Sequence, residues 1–251
     1  MADTKEMALN KVGEMVAEDY RTADVFKKYG IDFCCGGGKT IARVCDEKNI
    51  PMPELIDALS RVGQSSIKGE EDFNNWPLDK LAAYIEFTHH SYVNENLLII
   101  SQYAQKVEKA HGQHNPEVIE IVNIWRELSG ELSVHMKKEE LMLFPFIKKM
   151  QRALNENTGL TGSAPFGTVQ NPVSVMAHEH DNAGALLKRI ALLSNNYTPP
   201  EHACNTYRVL YAKLQEFEGD LHKHVHLENN ILFPKAIALE KQLNLTPNSA
   251  L

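Results

Sequence analysis

The pattern His-x3-Glu-x3-Leu-Phe-Pro occurs twice in this chain, at 135–145 and 224–234, in register and without a gap. On a helix, residues four apart lie on one face, one turn from each other. Each copy therefore aims an imidazole and a carboxylate at one place: His135 with Glu139, and His224 with Glu228. Two such helices facing one another supply two nitrogens and two carboxylates, half of a dinuclear metal site in a helix bundle.

The other half requires two more helices, and the histidine spacing points to them. His90 precedes His135 by 45 positions and His180 precedes His224 by 44, while His90 to His180 is 90 and His135 to His224 is 89. The chain thus reads as two copies of one helix pair, each giving a lone histidine and then a His-x3-Glu. On the third helix Met176, His180, Ala183, Leu187 and Ile190 form an apolar stripe, which selects His180 over His178. On the first, periodicity does not decide between His89 and His90; His90 fits the repeat, and His89 stays open because His89 and His178 also give equal spacings of 46.

Four imidazoles and two carboxylates suit a pair of non-haem cations. Imidazole binds iron, zinc, copper and nickel, and carboxylates prefer hard cations and can bridge two of them. Such a set leaves each ion short of six ligands, with room for an oxo or hydroxo bridge or a small ligand. Two iron ions are the expected occupants, with manganese second. A structural zinc site would be closed by four ligands. Glu131, one turn before His135, and Glu179, beside His180, are expected either behind the ligands, where a carboxylate orients an imidazole, or on a solvated helix face. His111, His114, His202, His222 and His226 are expected at the surface or behind the ligands.

The spacing predicts an all-α chain in two parts. Residues 1–66 form a small helical domain, with helices around Leu9 to Val16, from Thr22 as N-cap to Gly30 as stop, from about Thr40, and from Glu54 to Val62. The polar stretch 63–75 reads as a linker. Residues 76–245 form an up-down four-helix bundle with helices over about 78–110, 116–154, 172–195 and 200–243. Pro145 and Pro234 fall inside the second and fourth and should disturb them. All 11 histidines lie at or after His89, whereas three of the four cysteines lie before position 50.

Composition narrows the function classes. A formal charge of −7 without a basic stripe argues against nucleic acid. The N-terminus lacks the apolar core of a signal peptide and no window is apolar enough to span a membrane, so a cytoplasmic protein is expected. The glycines before Lys39-Thr40 resemble a phosphate loop, but Phe33 stands where its first glycine is needed and no strand precedes it, so nucleotide binding is rejected. The adjacent Cys34 and Cys35 fit no CxxC pattern. Beside Gly36 to Gly38 and a helix start, an exposed, stabilised thiolate is expected there, with a redox or iron-transfer role; simple packing is the alternative.

The segment Asp32-Phe33-Cys34-Cys35-Gly36-Gly37, the paired bundle motifs, Met176-Ala177-His178-Glu179-His180-Asp181 and Leu227-Glu228-Asn229-Asn230 together resemble the iron–sulfur cluster repair di-iron proteins, the RIC or ScdA/YtfE family, over nearly the whole chain. The resemblance implies a hemerythrin-like bundle, ligation by His90, His135, Glu139, His180, His224 and Glu228 with both glutamates bridging, and a homodimer. It also implies a role in restoring clusters damaged by nitric oxide or peroxide by supplying iron, with damaged iron–sulfur proteins as partners. A longer connection around 155–170 departs from the family. Two other readings are carried: a di-iron oxidoreductase reducing nitric oxide or oxygen, and a sensor or carrier of those gases.

Overall fold

The computed structural model describes residues 7–64, 72–160 and 164–245. Among them regular structure is helical, with two isolated bridges, Lys11 to Thr40 and Ala164 to Gly167. The all-α expectation holds. The chain divides into two compact units: one holds the residues up to Pro77 together with Val225–Lys235, the other Leu78–His224 and the chain from Ala236 onward.

In the first unit α1 (Val12–Glu18), α2 (Thr22–Lys28), α3 (Ile41–Lys48) and α4 (Met52–Gln64) bury Val12, Val16, Phe26, Ile41, Leu55 and Leu59. Gly30 ends α2 in the left-handed region, at φ 63°, so that Ile31 N–H reaches the Phe26 carbonyl at 2.8 Å. Thr22 does not cap α2. Its hydroxyl donates to the Asp19 carbonyl at 2.7 Å, while the Asp19 carboxylate accepts from Arg21 N–H. Thr40 does cap α3, accepting from Arg43 N–H at 3.3 Å. The Gly-Lys-Thr run is therefore a helix start. Pro53 lies in the first turn of α4, where it removes no helical bond. Of the stretch read as a linker, residues 65–71 lie outside the described residues. Phe73–Asn75 is a 3-10 turn whose Asn74 side chain donates to the Ala17 carbonyl at 2.6 Å.

The second unit is built from long helical rods. The first is α5 (Leu78–Tyr84), a π turn (Ile85–His90) and α6 (Ser91–His111); the second is α7 (Pro116–Lys138), a π turn (Glu139–Leu143) and α8 (Phe144–Asn155). The third, α9 (Gln170–Leu193), is unbroken. The fourth is α10 (Asn205–Leu227), a π turn (Glu228–Leu232) and α11 (Phe233–Leu245), of which the stretch Val225–Lys235 falls in the first unit. It starts five residues later than its sequence suggests, because Pro200 opens a turn closed by Ala203 N–H at 2.9 Å. The connection before α9 ends on a borrowed cap: buried Glu240 accepts from Val169 N–H at 3.0 Å and from the Thr168 hydroxyl at 2.5 Å.

Trp125 is central to the bundle core, 1% exposed. Its indole N–H donates to Ser101 Oγ at 2.9 Å and its ring meets Phe217 edge-on at 5.0 Å. Trp125→Ala is expected to cost about 3–5 kcal/mol through the cavity it leaves, read as a lowered urea midpoint for this unit. Among the described residues, no helix is long and apolar enough to cross a membrane.

Candidate metal centre

Both repeats meet their prolines in the same way. Pro145 and Pro234 cannot accept a regular helix beneath them, since proline lacks an N–H and its ring presses on the carbonyl four residues back. In each rod a π turn takes up the misfit. Phe144 N–H donates to the Glu139 carbonyl, and Phe233 N–H to the Glu228 carbonyl, each five residues back. Each histidine of a repeat thus lies in the last α-helical turn and each glutamate opens a π turn. Such bulges are frequent at functional sites.

All six expected ligands are buried, Glu139 and Glu228 completely. His90 Nε2 lies 3.4 Å and His135 Nε2 3.3 Å from Glu139 Oε2. His180 Nε2 approaches His135 Nε2 to 3.0 Å, close enough that a proton or a cation has to stand between two nitrogens that otherwise repel. The ligand atoms of His90, Glu139, His224 and Glu228 lie within 4.8 Å of one another, as do those of His135, Glu139, His180 and Glu228. The two glutamates are common to both groups. Two imidazoles for each of two cations, with two shared carboxylates offsetting their charge, is a donor set that fits a dinuclear centre.

His90, not His89, belongs to this cluster. His89 is also buried, but its Nδ1–H donates to Asp220 at 2.9 Å and its ring stacks on His224 at 5.6 Å. The π turn at Ile85–His90 inserts a residue into the helix, so a regular period could not choose between neighbours. His178 is exposed and His180 buried.

Carboxylates stand behind two of the imidazoles. His135 Nδ1–H donates to Glu179 at 2.9 Å, and Lys138 pairs with the other Glu179 oxygen. His90 Nδ1–H donates to Glu140 at 3.1 Å, and Lys137 holds the second Glu140 oxygen at 2.6 Å. Burial opposes ionisation of both carboxyls, yet Lys137 and His90, and likewise Lys138 and His135, keep them below the usual carboxylate range. Glu131 instead accepts from Asn182 at 2.6 Å. Glu140 has no acidic counterpart in the second repeat, where Asn229 stands, so comparing the copies did not single it out. A cavity of 460 Å³ between α7 and α9 is lined by Gly130, Lys138, His178 and Asn182 and reaches His135 and His180.

The cysteine loop differs from its expectation. Cys34 is buried and Cys35 half-buried. Asp32 Oδ1 accepts from both backbone N–H groups at 3.0 Å and from the Cys34 thiol at 3.2 Å. The neighbouring Cys35 thiol, burial and the Asp32 charge push the Cys34 thiol well above its usual range. These surroundings favour the thiol form of Cys34 over the stabilised thiolate expected there. Asp32, Cys34 and Cys35 place their ligand atoms within 4.8 Å of one another, a grouping the sequence reading did not include. His226, expected at the surface or behind the ligands, is buried against Tyr20 and Phe33. Among the other outlying histidines, His111 contacts Cys204 at 3.1 Å and His202 contacts Asn115 at 3.1 Å.

Comparison with known proteins agrees with this geometry. Residues 81–236 match the hemerythrin HHE cation-binding domain, and residues 8–62 match ScdA_N, a domain of unknown function. With the His/Glu groups, the first match marks the bundle as a cation-binding domain. The iron–sulfur cluster repair protein YtfE of Escherichia coli O81 (strain ED1a) is 37% identical over 229 residues, covering 91% of this chain and 97% of the relative. The protein of the same name from Pectobacterium atrosepticum is 36% identical over 226 residues, covering 90% and 96%. The one from Citrobacter koseri is 36% identical over 229 residues, covering 91% and 97%. Over nearly its full length, this chain belongs to the family of the iron–sulfur cluster repair proteins named YtfE.

Proposed function

We propose that this chain is a cytoplasmic di-iron protein that restores iron–sulfur clusters damaged by nitrosative or oxidative stress, with iron as its cargo. The observation that carries the reading is the sharing of Glu139 and Glu228 between two His/Glu groups. Residues 76–245 hold the two ions through His90, His135, Glu139, His180, His224 and Glu228. Residues 1–66 meet the damaged protein and pass iron through Cys34 and Cys35. A homodimer is part of the proposal on family resemblance. Iron held by these residues would supply a pair of redox-active cations, with an oxo or hydroxo bridge as part of the proposal.

The chain's own groups set how tightly the cargo is held. Glu140 and Glu179 fix their histidines with Nε2 toward the cluster and raise imidazole basicity. Glu140→Ala is expected to weaken cation binding about 10- to 100-fold, measured in competition with a chelator of known affinity. Unchanged affinity would show that Lys137 and its partner only decorate the surface.

The test of the function is direct. Purified protein should carry two irons per chain with visible oxo-bridge absorption. Added anaerobically to a cluster protein damaged by nitric oxide, it should restore cluster absorption while losing iron. Repair should slow when Cys34 and Cys35 are both replaced by alanine. Equal repair by the metal-free chain would refute the proposal. The cavity reaching His135 and His180 favours a second reading, binding or reduction of nitric oxide or oxygen at the centre. Repeated turnover of nitric oxide to nitrous oxide by the ferrous protein would select it.

A further inference from the structure

The two repeats also differ two residues beyond their glutamates. The first has Leu141, 73% exposed. The second has Asn230, which is half-buried. Asn230 Nδ2 lies 3.2 Å from the Phe33 carbonyl, 3.3 Å from the Cys34 carbonyl and 3.0 Å from His226 Nδ1. Its oxygen lies against two glycines. A Cβ on Gly13 would meet it at 2.3 Å and one on Gly37 at 2.8 Å. Gly13 N–H donates to the Gly37 carbonyl at 2.8 Å, closing α1 and the cysteine loop around the amide. His226, one turn back, packs its ring on Phe33 and Tyr20 at 6.1 and 5.9 Å.

This arrangement demands a donor. Two carbonyl oxygens and a ring nitrogen face one NH2, and a leucine or a carboxylate at this position would leave the carbonyls unsatisfied or repel them. Metal geometry does not call for it, since the first repeat does without it. Asn230 and Glu228 share one π turn, closed by the bond from Phe233 N–H to the Glu228 carbonyl. A change in how Glu228 is held therefore moves the amide that holds the backbone of Cys34.

We propose that Asn230 is a positioning residue that couples cation occupancy at Glu228 to access to the Cys34 thiol: an occupied Glu228 fixes the π turn and keeps the loop closed, and loss of the ion frees it. The proposal rests on the reading of Glu228 as a ligand. Linkage makes it reciprocal, so opening the loop also loosens the ion. In a protein that delivers iron through Cys34, this signals an empty centre to the cysteine loop.

Alkylation of the reduced full chain by iodoacetamide, followed by peptide mapping, tests it. Exposed Cys204 serves as internal control. Iron(II) or manganese(II) is expected to slow Cys34 about tenfold, toward the lower end of usual couplings, and to leave Cys204 unchanged. Manganese(II) matters because it prefers carboxylate and imidazole to thiolate. Asn230→Ala, which only removes atoms, should keep its cation content and lose the protection. Gly13→Ala, which crowds the amide from the other side, should do the same. A purely structural support would shift loaded and metal-free rates together, leaving their ratio unchanged. Protection that persists in both variants overturns the proposal and points to direct thiolate ligation. Loss of cations by both variants overturns it as well. A wild-type chain that binds two ions with no change at Cys34 sinks the coupling alone; one that binds neither metal sinks the ligand reading with it.

Discussion

Alanine in place of Glu139 is expected to leave the purified chain without stoichiometric metal, whereas alanine in place of His180 should leave one ion bound. Glu139 Oε2 stands 3.4 Å from His90 Nε2 and 3.3 Å from His135 Nε2, so this one side chain belongs to both groups. His180 belongs to one. Removing the shared carboxylate takes a negative charge from each cation at a fully buried position, where no water can replace it well. The loss should exceed the about 10- to 100-fold that removal of a partner behind a ligand costs. Metal analysis and iron(II) titration of the two variants decide it. A Glu139→Ala chain that keeps both ions would show that Glu139 bridges nothing.

Periodicity made the architecture legible because it is a one-dimensional property. A four-residue interval and a Leu-Phe-Pro tail repeated 89 positions apart require two similar helices, and the apolar stripe through His180 shows which way the third one faces. What was not legible came from departures from that period or from contacts distant in sequence. The π turn at Ile85–His90 changes the facing of its residues, so His89 and His90 could not be separated by counting. Glu140 lies beside a repeat residue but not in the repeat, and its partner His90 is 50 positions away. The glycine neighbours of Cys34 suggest an exposed thiolate. The Cys35 thiol, burial and Asp32 oppose that, and neither the loop's fold nor its cover is written in a local pattern. Asn230 reaches the carbonyl of Phe33 across 197 positions. Thr22 had the right type for a cap, but its hydroxyl turned to Asp19, an option open to any threonine near a free carbonyl.

Removing metal should lower the unfolding temperature more than any single core substitution does. Each ion held at about a thousand times its Kd adds about 4 kcal/mol to the folded state. For two ions, and about 2–4 °C per kcal/mol in a domain of this size, loaded bundle should melt about 15–30 °C above the chelated one. The chelated chain is left with two completely buried carboxylates among four buried imidazoles, and such groups are costly without a strong partner. Glu139→Gln keeps the shape and removes one of those charges. It should therefore melt above the chelated wild type, below the loaded wild type, and at the same temperature with or without iron. Scanning calorimetry of both chains, with iron(II) and with chelator, gives the four temperatures. If chelation leaves the wild type unmoved, the buried cluster is held together by protons and hydrogen bonds alone. If Glu139→Gln melts below the chelated wild type, the carboxylate supports the fold rather than straining it for the sake of the ions.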